Sequence, residues 1–232
     1  MAEATAAPVY VVHLSSALAL AACRQARSRG VPLFVEIRPI YLYLTAERFN
    51  EPDAAKYVGN PPLRESTDVE ALWHGLQSGD IQTVCTDHAP WALADKLDPA
   101  RDISNFRPGV SELETLLPML YHDAVVKRKI SLERFVELTA TNAARLFGLY
   151  PRKGTIAVGS DADLTIWDPD CKWMVSAGAF KSRADFSPYE GWEVVGRPLL
   201  TISRGEVICD HGDIRISPGR GRRLQMGPGG RM

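Results

Sequence analysis

Apolar positions along the first two thirds of the chain change rhythm several times. "PVYVVH" (residues 8–13) is a short β-branched and aromatic run that reads as a strand. "SSALALAACRQARSRG" (15–30) reads as a helix rich in alanine and leucine. Ser15 or Ser16 is its N-cap, basic residues fill its last turn, and Gly30 stops it. "VPLFVEIRP" gives a second strand, and "STDVEALWHGLQSGD" (66–80) a second helix with Ser66, Thr67 or Asp68 as cap and Gly79 as stop. "IQTVCTD" (81–87) is a third strand. Strands alternating with helices imply right-handed crossovers and a parallel sheet, with function at the carboxyl ends of its strands.

"GVSELETLLPMLYHDAVVKRK" and "SLERFVELTATNAARLFGL" then predict two amphipathic helices. The second has Ser131 as cap and Phe135, Leu138 and Leu146 at helical spacing. Near residue 150 the texture changes. Glycines become frequent, and "DLTIWD", "PLLTIS" and "EVICD" predict an antiparallel β segment over 151–215. Residues 216–232, rich in Gly, Pro and Arg, have almost nothing to bury and are expected to be a disordered tail.

Composition narrows the function classes. The 232 residues are 45% hydrophobic and 24% charged with a net charge of -1, an ordinary globular balance. It gives no argument for nucleic acid or an anionic membrane surface. No apolar run approaches the roughly 18 residues of a membrane span, and the acidic start does not read as a signal peptide. Cys23, Cys85, Cys171 and Cys209 form no C-x-x-C pair and read as reduced thiols of a cytoplasmic protein.

"TVCTDHAPW" (83–91) carries the chemical question, because an apolar strand ends on Asp87 and His88. His13 stands at the end of the first strand in the same way. Each alone has a plain reading, a hydrogen-bonded histidine and a turn-forming aspartate. In a parallel sheet both tips lie on one face, where an imidazole and a carboxylate suit zinc or a similar divalent ion. Ser15 and Ser16 beside His13 read better as helix caps than as nucleophiles, since no G-x-S-x-G elbow accompanies them.

Six stretches occur in order: "PVYVVHLSS", "KYVGNPPLR", "TVCTDHAPW", "RPGVSELETLLPML", "LTATNAARLFGLYPRKGTIAVGSDADLTIWDP" and "SRADFSPYEGWEVVGRPLLTISRGEVI". The run closely resembles the C-terminal half of the dihydropyrimidinase and hydantoinase branch of the cyclic amidohydrolases, from residue 8 to about 215. The resemblance implies an α/β fold: residues 1–150 as the last three strands of a metal-dependent (β/α)8 barrel, then the C-terminal strands of a small β-sandwich. It implies hydrolysis of the C–N bond of a cyclic amide or ureide at two zinc ions bridged by a carboxylated lysine. His13 and Asp87 match metal ligands, and Asp87 also carries the proton. The loop at Asn60, where the family often has serine, and the region of Asn105 match backbone contacts to the substrate ring. His88 matches a supporting group rather than a ligand. A homo-oligomer, tetramer or dimer, is implied, with "SRADFSPYEGW" contributing.

The family's H-x-H pair, carboxylated lysine and further histidine ligand have no match here, so a truncated chain, inactive alone, is expected. Allantoinase and dihydroorotase are the neighbouring activities. A scaffold homologue that has lost its metal is the non-catalytic alternative, against which the retention of His13 and Asp87 argues.

Overall fold

The computed structural model describes residues 2–102 and 104–229. Two compact units divide the chain, Met1–Leu116 with Met174–Glu193, and Leu117–Trp173 with Val194–Met232.

In the first unit β1 (Val9–Val11), β2 (Leu33–Ile37) and β3 (Thr83–Val84) form a parallel sheet in the order β1-β2-β3. The third strand is shorter than "IQTVCTD" implied. Beyond its two ladder residues, Gln82 and Cys85 donate backbone N–H groups to Val35 and Ile37. Gln82 Oε1 also accepts the Val35 N–H at 2.8 Å, so a side chain supports the ladder. Alternation gives the sheet two unlike faces. Val35 and Ile37 are fully buried and lie in the core with Leu20, Cys23, Leu72, Leu76 and Ile81. The other face carries Tyr10, Glu36, Thr83 and Cys85. There the Tyr10 hydroxyl lies 2.7 Å from Glu36 Oε2 and 2.6 Å from Thr83 Oγ1.

The connecting helices are Ala17–Ser28 and Ser66–Ser78. Ser16 caps the first, accepting the Ala19 N–H. The second starts from Glu65, not from Ser66, Thr67 or Asp68. Asp68 is instead spent across the fold, accepting the Ala17 N–H at 2.8 Å. Gly79 ends that helix at φ 91°. The helices approach closely at Gly75, where a Cβ would lie 2.7 Å from Leu20 Cδ2.

The segment from Met174 to Glu193 belongs to this unit, and its Tyr189 and Trp192 pack edge-on against Tyr43. Phe186, Ser187 and Tyr189 of "SRADFSPYEGW" are thereby buried within the chain itself.

In the second unit β4 (Leu164–Met174), β5 (Glu193–Ser203), β6 (Glu206–Asp210) and β7 (Asp213–Ile214) form a sheet in that order, with β5, β6 and β7 antiparallel. The helix expected over 109–129 begins only at Leu116 and becomes π-helical over Tyr121–Lys127. The next runs from Leu132 to Leu146 with a π-helical stretch at Glu137–Thr141. Ser131 caps it, and Phe135, Leu138 and Leu146 are buried as their spacing implied. Tyr121 and Phe135 pack on Trp167, so residues 117–149 join the antiparallel strands, and the units do not follow the texture change at 150. Within the tail, Arg220 donates to the Ser203 carbonyl and Gly227 to that of Gly148, while residues 230–232 lie outside the described residues. Among the described residues no helix is long and apolar enough to cross a membrane.

Candidate active site

Three strand ends converge on β2, the central strand of the parallel sheet. His13 follows β1, Arg38 follows β2 and Asp87 follows β3, all at the carboxyl end. His13 and Asp87 adopt positive φ, 38° and 43°, a conformation that costs a non-glycine residue free energy. The His13 N–H donates to Glu36 Oε1 at 3.4 Å. Its Nδ1 is buried with no hydrogen-bond partner among the described residues.

Asp87 is held from the interior. Arg38, 1% exposed, donates through Nη1 to Asp87 Oδ2 at 2.8 Å, while the Asp87 side chain remains 55% exposed. The same guanidinium donates through Nε and Nη2 to Glu112 Oε2 at 3.3 and 3.1 Å. Glu112 is fully buried, and its other oxygen accepts the Tyr189 hydroxyl. Burial pushes the Glu112 carboxyl up, to about 7, against the pull of Arg38 and Tyr189. Burial also works against the Arg38 charge, but Glu112, Tyr41 and Asp87 outweigh it and hold the guanidinium above its usual range. An uncompensated charge at this depth would be costly, and the pair is satisfied on both sides.

Sequence reading passed over Arg38, Glu112 and Tyr189. Arg38 had a usable signal, since it stands at a strand tip as His13 and Asp87 do. Tyr189 had none, because only the fold brings it to Glu112.

His88 is anchored to residues of a neighbouring loop. Its Nδ1 accepts the backbone N–H groups of Glu112 and Leu113 at 3.3 Å, and its Nε2 lies 3.4 Å from Ser182 Oγ. With Nδ1 accepting, the neutral ring carries its proton on Nε2. Burial lowers its pKa, in keeping with that form.

Asn60 and Asn105 are exposed on two loops. Asn105 closes its own turn, its Oδ1 accepting the Asp102 N–H at 2.8 Å and its carbonyl accepting from Arg101. The loops are stitched together farther in. Gly109 donates to the Val58 carbonyl at 3.1 Å, and Lys96 Nζ donates to the carbonyls of Val58 and Gly109 at 2.9 and 2.7 Å. Burial, reinforced by the nearby Arg38 charge, lowers Lys96 to about 7. Gly109 needs to be glycine: φ is 89° and a Cβ would lie 2.9 Å from that of Ala89.

A bound metal would need several convergent donors. The unpartnered Nδ1 of His13 suits a ligand, and Asp87 keeps one oxygen clear of Arg38. Among the described residues, however, no group of three or more His, Cys, Asp or Glu side chains could hold an ion. A catalytic zinc takes three protein ligands. The residues present do not make a complete metal site.

The Amidohydrolase family model matches residues 11–208. The D-hydantoinase of Ralstonia pickettii is 41% identical over 231 residues, 97% of this chain and 50% of its own length. Among solved structures, the dihydropyrimidinase of Brevibacillus agri superposes with a TM-score of 0.88 at 38% identity, covering 91% of this chain and 47% of that one. The L-hydantoinase (dihydropyrimidinase) of Arthrobacter aurescens gives 0.81 at 37%, covering 89% and 46%. The chain therefore spans about half the length of the curated relatives it matches. A match over residues 11–208, joined to relatives near 40% identity along nearly all of the chain, makes it a member of the amidohydrolase family, whose enzymes are generally metal-dependent.

Proposed function

We propose that the chain carries part of the site of a hydrolase that opens cyclic amides or ureides, such as dihydropyrimidines or hydantoins, at a ring C–N bond. The observation that carries this reading is Asp87, a half-exposed carboxylate at the end of β3 with one oxygen held from the interior and the other clear. The clear oxygen takes a proton from water as it attacks the ring carbonyl, then passes that proton to the departing ring nitrogen. The carboxylate ends as it began. Backbone groups at Asn60 and Asn105 would face the ring amide.

A divalent ion, zinc in this reading, makes water nucleophilic at neutral pH when bound. His13 and Asp87 are its two candidate ligands here, and a working centre needs more. Residues 1–150 are read as a C-terminal barrel portion, 151–215 as sandwich strands and 216–232 as a tail. Assembly as a homo-oligomer belongs to the same reading.

The test supplies what two ligands cannot. Ring opening of dihydrouracil and a 5-substituted hydantoin, with allantoin and dihydroorotate as competing substrates, is followed with zinc present. The 232-residue chain is assayed alone and with a polypeptide bearing the upstream half of the Ralstonia pickettii D-hydantoinase. Activity is expected only in the pair, and is expected to vanish with Asp87→Asn. Ring opening that survives Asp87→Asn would remove Asp87 from the chemistry. A pair that binds no stoichiometric metal and opens no ring would favour a scaffold.

A further inference from the structure

The central strand reaches both candidate ligands from its last residues. Glu36 Oε1 accepts the His13 N–H on one flank, and Arg38 Nη1 donates to Asp87 Oδ2 on the other. The Arg38 contact is the shorter, at 2.8 Å, and the better supported. Its planar fork is fixed by two bonds to Glu112 Oε2, and Glu112 is fixed in turn by the Tyr189 hydroxyl. The guanidinium also lies 5.9 Å from the centre of the Tyr41 ring. A buried arginine held this way cannot follow a mobile partner, so the exposed partner must follow it.

We propose that Arg38 is a positioning residue for Asp87: held by Glu112 and Tyr189, it takes one carboxylate oxygen and so aims the other. Its consequence for turnover rests on the proposed role of Asp87 in proton transfer. The positioning itself does not. A mobile Asp87 would sample rotamers that point the carboxylate away from a ring carbonyl, so Arg38 acts on orientation rather than on affinity for substrate.

Carboxylate labelling with a water-soluble carbodiimide and glycinamide, read peptide by peptide in the mass spectrometer, tests this on the full chain without substrate or metal. The double variant Arg38→Met/Glu112→Gln removes both charges together, so neither is stranded. Labelling at Asp87 is expected to rise several-fold while that of Asp68 and Asp185 stays at the parent rate. Arg38→Lys, which keeps a positive charge but loses the planar fork, is expected to restore part of the protection. An unchanged Asp87 rate with unchanged controls overturns the proposal.

Should the double variant label everywhere through unfolding, Tyr189→Phe decides. It keeps both charges and removes only the hydroxyl that steadies Glu112. A rise confined to Asp87 supports the proposal, and no rise overturns it. In the paired ring-opening assay, Arg38→Lys is expected to lower kcat with KM unchanged. A raised KM with unchanged kcat would assign Arg38 to substrate binding instead. Failure of ring opening altogether would bear on the proposed function and leave the labelling result standing.

Discussion

In the unit built on β1–β3, one pair of opposite charges is buried against each other; in the unit built on β5–β7, the described pairs all reach solvent. Arg38 and Glu112 are 1% and 0% exposed, whereas Arg220 and Glu206 are 20% and 63% exposed. The interior of the second unit is aromatic instead, with the Tyr121 and Trp167 ring centres 5.0 Å apart and Phe135 edge-on to Tyr121. Aromatic packing fills one interior, while the other accepts the desolvation of an ion pair. An apolar replacement would serve stability as well, so the buried pair is better explained by what it holds, the Asp87 carboxylate.

The sharpest way to break this comparison is to strand one buried charge. Arg38→Met leaves Glu112 unpaired and is expected to cost about 3–5 kcal/mol in urea unfolding. A loss below about 1 kcal/mol would mean that the pair is hydrated and the two regions are alike. Next comes Gly196→Ala in the aromatic region. Gly196 has φ 96°, and a Cβ there would run into the Tyr121 ring and lie 3.0 Å from Trp167 Nε1. A loss of about 2–4 kcal/mol in thermal or urea unfolding is expected from strain and overpacking together.

Lys96 sharpens the comparison through pH. With its pKa lowered from 10.5 to about 7, the folded chain has released a proton across that window which the unfolded chain still holds. The unfolded state binds more protons, so this group makes stability rise with pH from about 7 to 10.5. Lys96→Met removes that slope. Its cost, about 1–3 kcal/mol at pH 10 for two stranded carbonyls, is expected to shrink near pH 6, where the parent must charge a buried amine. Equal costs at both pH values would contradict the lowered pKa. The smallest effect belongs to the surface: Lys153→Ala, which loses partners at Asp161 and Asp163, is expected to cost under about 1 kcal/mol by the same measurement.

Local chemistry made much of this fold legible. Ser16, Ser131 and Gly79 mark helix ends because a cap is decided by a few adjacent residues. The Glu65 start was not readable, because Asp68 was drawn to Ala17, 51 residues away. The same divide runs through the candidate site. His13 and Asp87 announce themselves at strand tips, and the residues that hold Asp87 are joined across separations of 49 and 77 residues that no spacing rule reaches. The late start of the first helix after 109 was equally hidden, since the Glu112 side chain is engaged by Arg38 and Tyr189, far away in sequence.

The positive φ angles at His13 and Asp87 set folding and chemistry against each other. Glycine would relax either backbone by on the order of 1 kcal/mol while deleting a side chain on which the proposed chemistry depends. At Asp87 that relief would be set against the lost ion pair with Arg38. A histidine and an aspartate at these two turns therefore carry a small stability cost that the proposed chemistry would account for.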